Sequence, residues 1–291
     1  MPASLFVFGD LCVDIVAIPQ TEPCRGGDTT LNRLDLTCAG AAYNCSVAAA
    51  RAGAQVEVIG VAGDDEFGRM LLAGLRSNGA GTSLVQSRAN TRTGTILAIA
   101  SLDGERTFYS YRGVNAEPYG PLPEQLLKFG DGVYLCGYSL QEAGSRETAV
   151  ALRALAASSG AICLLDPSYL SASTLAGSDF LRGLDWITPN LHEAELLTGS
   201  TDPGRAAESL RAMGVKNVAI TLGGEGCLVS TPTGHAVVPS GRSLVLCNTT
   251  GAGDAFCGGF LASLIAGCDP FEAARRGNQA AAAALAHNEK C

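Results

Sequence analysis

Short apolar runs of strand length alternate with longer helical runs over almost the whole chain. SLFVFG (4–9) precedes the helical AAYNCSVAAARAG (41–53), and QVEVIGV (55–61) precedes EFGRMLLAGLRSNG (66–79). The pattern continues with GVYLCG (132–137) before RETAVALRALAAS (146–158), then AICLLD (161–166), then DWITPN (185–190) before LHEAELLTG (191–199). PGRAAESLRAMG (203–214) and VKNVAITLG (215–223) repeat it once more. The helical runs stop at glycines such as Gly53, Gly79 and Gly199, as helices commonly do. Strands that are apolar throughout, rather than at every second position, are buried on both faces. The pattern therefore predicts βαβ units: an α/β fold with a mostly parallel central sheet covered by helices on both sides.

Two stretches break this rhythm. Residues 11–37 are extended and punctuated by proline and glycine, and residues 93–112 are two alternating runs around LDGE, a hairpin pattern. Paired together they predict a small accessory sheet, a lid over a site on an otherwise single α/β domain of residues 1–291. No internal repeat or low-complexity linker divides the chain.

Composition excludes several function classes. The net charge of −8 argues against nucleic acid as a partner, because phosphate backbones need a basic surface. The start lacks the basic segment of a signal peptide, and apolar runs such as AAAAALA (280–286) are too short for a bilayer. A cytoplasmic protein with no membrane partner is expected. The eleven cysteines are an odd number without a C-x-x-C pair and fall largely in apolar segments (Cys136, Cys163, Cys227, Cys257), which predicts buried free thiols. Three scattered histidines offer little for zinc. No G-x-x-x-x-G-K-[ST] is present, no G-x-G-x-x-G follows the first strand, and GYSLQ (137–141) lacks the closing glycine of a nucleophile elbow.

The most chemically suggestive segment is VLCNTTGAGDAFCGGFLASLIAG (245–267). Its apolar residues Phe256, Phe260, Leu261 and Leu264 recur at helical spacing, so a helix starts near Gly251–Gly253. Small residues there let an anion approach the free backbone amides. Asp254 in the first turn either complements the helix dipole or removes a proton beside a bound phosphoryl group.

T-T-G-A-G-D-A-F resembles the C-terminal signature of the ribokinase or pfkB family of carbohydrate kinases. The resemblance extends over nearly the whole chain and implies a three-layer ribokinase-like fold with a β lid. It also implies ATP-dependent phosphorylation of a hydroxymethyl group of a small sugar or nucleoside. It puts the catalytic base at Asp254 and the anion hole at Gly251, Ala252 and Gly253. GDLCVDIVA (9–17) matches the first strand and its exit, with Asp14 on sugar hydroxyls. AGAAYN (39–44) matches G-G-x-x-x-N, so Gly40 and Asn44 carry over as substrate contacts, although Asn44 at a helix start could equally be structural. Ala39 replaces the first glycine.

TPNLHEAELLTG (188–199) matches the N-x-x-E motif: Asn190 near the nucleotide phosphates, Glu193 on Mg²⁺ through water. The same pair also reads as a helix cap with its capping box. VAITLGGEGCLV (218–229) resembles T-x-G-x-x-G, placing Thr221, Gly223 and Gly226 near the nucleotide, and Asn278 falls on the helix that flanks the adenine. VAGDDEFG (61–68) reads as structural, with Asp64 and Asp65 at a helix start. Arg112 matches an arginine that contacts substrate carboxylates in acid-sugar kinases and otherwise reads as a solvated strand residue. The leading Asp of the signature is Asn248 here, which leaves monovalent-cation (K⁺) activation open and points to nucleoside kinases of the pseudouridine type. The resemblance further implies a homodimer through the lid. Asn248 and Ala39 keep a second class in view, a non-catalytic sugar sensor on the same scaffold.

Overall fold

The computed structural model describes residues 2–101, 106–241 and 249–288. Thirteen strands and eight α-helices occur among them. The large sheet runs from β1 (Ser4–Phe8) through β4 (Gln55–Gly63) to β5 (Val85–Arg88) on one side. On the other side of β1 lie β8 (Gly132–Cys136), β9 (Ile162–Asp166), β10 (Trp186–Ile187), β11 (Asn217–Thr221), β12 (Cys227–Thr231) and β13 (Gly234–Val238). Every pairing from β5 to β11 is parallel, and β12 and β13 close the edge as antiparallel strands.

Side-chain alternation along these strands builds two cores. In β1, Leu5 and Val7 face one core and Phe6 and Phe8 the other; in β8, Tyr134 and Cys136 oppose Val133 and Leu135. The first core is covered by α1 (Ala41–Arg51), α7 (Ala252–Ile265) and α8 (Pro270–Asn288), with α2 (Glu66–Ser77) beside them. The second lies under α3 (Ala143–Ser159), α4 (Tyr169–Leu175), α5 (Leu191–Thr198) and α6 (Pro203–Ala212). The result is the α/β/α sandwich expected from the alternation of runs. α7 is buried nearly all round, from Ala255 to Ser263, because α1 and α8 flank it. Its Gly258 lets α1 approach closely: a Cβ there would meet the Cys45 carbonyl at 2.3 Å.

The two irregular stretches pair as expected. β2 (Cys12–Pro19), β3 (Leu31–Ala39), β6 (Gly94–Ala100) and β7 (Arg106–Tyr111) form a second, four-stranded sheet in the order β3-β2-β6-β7. The turn LDGE lies outside the described residues. The segment DWITPN is strand only at Trp186–Ile187, because Pro189 has no N–H for the ladder and Asn190 already caps α5. The chain passes directly from β1 into β2 through the short bend Gly9–Leu11, which joins the two sheets. Asp65 caps α2 by accepting from the Gly68 amide at 2.8 Å and also accepts from Thr93 at the start of β6. Nine described cysteines are free thiols, and Cys136, Cys163, Cys227 and Cys257 are all buried. No helix among the described residues is long and apolar enough to cross a membrane.

Candidate active site

The C-terminal ends of β9, β10 and β11 face the N-terminus of α7, where open α/β sheets bind ligands. A cavity of about 150 Å³ lies there, lined by Asp166, Asn190, Glu193, Thr221, Gly251 and Asp254 among others. A second cavity of about 440 Å³ shares Asn190 and Thr221 with it and continues past His192, Leu222 and Gly223. A long ligand can therefore occupy both, with Asn190 and Thr221 at the junction.

Gly251 starts α7 with φ +80°, a left-handed conformation that few other residues adopt, and no side chain caps this helix. A Cβ on Gly251 would meet the Asn44 amide nitrogen at 2.9 Å, whereas one on Gly253 would meet nothing within 4 Å. The open space at Gly253 is the cavity itself. Gly251, Ala252 and Gly253 thus expose the uncapped end of a helix, with its partial positive charge, to whatever enters.

Asp254 stands in the same turn. The Asn44 side-chain amide donates to its Oδ2 at 2.9 Å. Desolvation raises the Asp254 carboxyl above the ordinary carboxylate range, and the Asn44 hydrogen bond opposes that rise. Asn44, expected against a sugar hydroxyl, thus gives one amide N–H to Asp254 and keeps its second N–H and its carbonyl oxygen for other partners. Asp14 of β2 lies close enough to feel the charge of Asp254: burial first, then that charge, push Asp14 up to about 6. Its Oδ1 is buried without a hydrogen-bond partner. An orphaned acceptor beside Asp254 is suited to a ligand hydroxyl.

Asn190 and Glu193 form a reciprocal capping box at the start of α5. Asn190 Oδ1 accepts from the Glu193 amide at 2.9 Å, and Glu193 Oε2 accepts from the Asn190 amide at 2.8 Å. The cap and the cavity lining coexist, since both residues also line the smaller cavity. Glu193 is raised by burial and then by Asp254, against the Asn190 backbone bond.

Sequence reasoning missed Asp166 as a site residue. It ends β9, lines the cavity and is raised well above its usual value by burial and by the charges of Glu193 and Asp254. Its signal was an acid followed by proline at the end of an apolar strand, in AICLLDP. Tyr138, Ser168 and Thr188 also line the cavity unforeseen. Ser168 holds φ +55° there, and its amide donates to Asp166 Oδ1 at 3.2 Å.

Four expected contacts are engaged within the fold itself. Asn278 does not line either cavity; its amide donates to the Val238 and Pro239 carbonyls and ties α8 to the end of β13. Gly226 is buried with φ +104°, and a Cβ would strike the Val238 carbonyl at 2.1 Å, so a close backbone crossing requires it. Gly40, at φ +100°, likewise admits the Asp10 carbonyl, which would lie 2.3 Å from a Cβ. Arg112 is not solvated. It makes a two-pronged ion pair with Asp10 at 2.8 and 3.0 Å. Asn248 lies outside the described residues.

Comparison with known proteins agrees with this architecture. Ribokinase of Haemophilus influenzae is 28% identical over 97% of this chain and 92% of its own. Fructokinase-1 of rice (Oryza sativa subsp. japonica) is 31% identical over 78% of this chain and 73% of its own. The structure of Vibrio cholerae fructokinase with fructose, ADP and calcium bound superposes with a TM-score of 0.78, covering 97% of this chain and 92% of that one at 23% identity. Residues 2–290 match the description of the pfkB family carbohydrate kinases, and the chain belongs to that family of phosphotransferases.

Proposed function

We propose that the protein transfers the γ-phosphoryl group of ATP to a hydroxymethyl group of a small sugar or nucleoside, with Asp254 as general base. The observation that carries this reading is the placement of Asp254: oriented by Asn44, at an uncapped helix start, lining the small cavity and close enough to Asp14 for its charge to act there. The acceptor hydroxyl binds between Asp14 and Asp254, with Asp14 accepting from neighbouring hydroxyls. Asp254 Oδ1 takes the proton as the oxygen attacks phosphorus, and Oδ2 keeps its Asn44 donor. The amides of Gly251, Ala252 and Gly253 stabilise charge on the transferred group. Asn190, Thr221 and Gly223 border the larger cavity, where the rest of the nucleotide lies. The V. cholerae fructokinase, solved with fructose and ADP bound, supports a nucleotide as the second substrate.

A divalent cation fits the same cavity. Asp166 and Glu193 are hard oxygen donors that burial and neighbouring carboxylates (Glu193 and Asp254 for Asp166, Asp254 for Glu193) hold above their ordinary range, a strain a cation relieves. No three acidic, histidine or cysteine groups among the described residues come together as a direct metal cage, which suits Mg²⁺ held by Asp166 and Glu193 through water. Bound there, Mg²⁺ would neutralise phosphate charge. The small sheet acts as the lid, excluding water as a competing acceptor. Its outward face joins two copies in a homodimer, and the protein works in the cytoplasm.

A phosphoryl-transfer assay with labelled ATP across pentoses, hexoses and nucleosides tests the reading. Product formed by the wild type and lost in Asp254→Asn supports it. A neutral sugar that binds yet is never phosphorylated would instead identify a sensor.

A further inference from the structure

We infer that Asp10 sets the charge class of the acceptor: by holding Arg112 it reserves the acceptor side of the site for uncharged polyols and excludes anionic sugars. This rests on the phosphoryl-transfer reading above and narrows it.

Asp10 occupies the joint between β1 and β2. Its two carboxylate oxygens accept from both terminal nitrogens of Arg112, at 2.8 and 3.0 Å. The side chains are only 12% and 20% exposed. Arg112 Nε is buried and has no partner, so Asp10 is the group that neutralises this guanidinium. A planar fork engaged at both ends has its best geometry for a carboxylate already taken.

Strand register puts the pair beside the acceptor site. Tyr111 of β7 pairs with Thr95 of β6, and the adjacent Gly94 pairs with Cys12 of β2. Arg112, one residue past Tyr111, therefore sits at the level of Cys12. Cys12 and Asp14 are two apart on one strand and share a face. The Cys12 thiol lies within the fields of Asp10, Asp14 and Arg112 together. The Cys136 thiol, on the adjoining strand of the large sheet, lies within those of Asp10 and Asp254. Asp10 and Arg112 thus lie at the level of Cys12, two residues from Asp14 on the same strand face, and Asp10 shares with Asp254 an influence on the Cys136 thiol.

The charges then decide. Asp10 and Arg112 cancel, Asp14 and Asp254 remain, and no described residue lining the small cavity is a lysine or arginine. An aldonate entering here meets two carboxylates and an arginine that is already paired. A neutral polyol meets acceptors only. Removing the Asp10 charge leaves the Arg112 charge uncompensated and shifts the preference toward the anion.

The test is calorimetric binding with a non-hydrolysable ATP analogue and Mg²⁺, comparing D-ribose and D-fructose with D-ribonate and D-gluconate. Wild type is expected to favour the neutral sugar of each pair by at least about tenfold. Asp10→Asn is expected to raise the aldonate-to-sugar affinity ratio at least about tenfold, a change that loss of packing alone does not produce. The double variant Asp10→Asn/Arg112→Gln, which removes both charges, is expected to show no such rise. Aldonates bound by wild type as tightly as the parent sugars overturn the proposal, and this comparison needs no variant to fold. An unchanged ratio in folded Asp10→Asn overturns it too, as does an equal rise in the double variant. Wild type that binds no polyol or nucleoside at all removes the kinase reading itself, an outcome distinct from binding both charge classes.

Discussion

Asn44 and Asp254 are 210 residues apart in the chain and 2.9 Å apart in the fold, joined by a side-chain hydrogen bond between the starts of α1 and α7. The bond fixes one oxygen of the carboxylate and leaves the other for a proton. Asp254→Asn removes the acceptor while keeping the size of the side chain. Turnover is expected to fall by about 10²–10⁴ or more, with nucleotide affinity largely kept. Steady-state kinetics together with ATP-analogue binding check this, and wild-type turnover in the variant rules out Asp254 as the base.

Asp14 sets stability against affinity. Its carboxyl titrates near 6 in the fold because burial and then the Asp254 charge disfavour ionisation. For an acid raised in this way, the unfolded chain ionises first. The fold bears no cost below the ordinary carboxylate pKa, a growing cost as pH climbs toward 6, and the full cost above it. Asp14→Asn removes that cost. The ligand-free protein is expected to gain about 1–3 kcal/mol at neutral pH, read as a higher Tm, while sugar affinity collapses. In wild type, kcat/KM for the acceptor is expected to fall as pH drops through about 6, because protonated Asp14 accepts fewer hydroxyl bonds. A flat profile between pH 5 and 8 would contradict the assignment.

Asp166→Asn probes the carboxylate that ends β9. Its charge raises no barrier to folding once removed, but a divalent cation loses an oxygen anion. The concentration of Mg²⁺ giving half-maximal turnover is expected to rise about tenfold or more, with a smaller change in acceptor KM. An unaltered Mg²⁺ dependence places Asp166 outside the cation's surroundings.

Asn190 separates capping from ligand binding. Asn190→Ala loses an acceptor for the Glu193 amide and is expected to cost about 1 kcal/mol of stability and to raise the KM for ATP. Asn190→Asp keeps the cap, so stability should return. The added negative charge at the junction of the two cavities should still weaken ATP binding. Recovery of both properties in Asn190→Asp would leave the residue a purely structural role.

The outward face of the small sheet makes a further prediction. Leu36, Ile15, Leu97 and Tyr109 are register partners across all four strands, on the face opposite Asp14, and Leu36, Leu97 and Tyr109 are exposed. An apolar row of this kind suits a second copy of the chain. Leu36→Glu is expected to yield a monomer by light scattering after size exclusion. A protein that is already monomeric as wild type would retire the dimer.

What could be read from the chain alone follows a physical rule. Asp254, Asn190 and Glu193 were legible because each belongs to a helix start, where small residues and caps leave a local mark. The small sheet was legible because its strands alternate while those of the large sheet do not. Asp166 was not, since its run AICLLD reads as core until β8 and β10 are placed on either side of it. The partners of Asn44 and Arg112 were hidden for the same reason: each lies more than a hundred residues away in the chain. Asn278 and Gly226 show the converse, motif positions whose described contacts are with backbone of the same chain.

The small sheet is assembled from two distant pieces of chain, β2 with β3 and β6 with β7, joined by the parallel β2–β6 ladder. Between those pieces come α1, β4, α2 and β5, all belonging to the large sandwich. Closing that ladder alone costs the entropy of the whole intervening loop, a cost the packed sandwich lowers by holding its two pieces near each other. Asp14 belongs to the small sheet and Asp254 to the sandwich. Docking the small sheet on the sandwich is therefore also what brings the two carboxylates within each other's field.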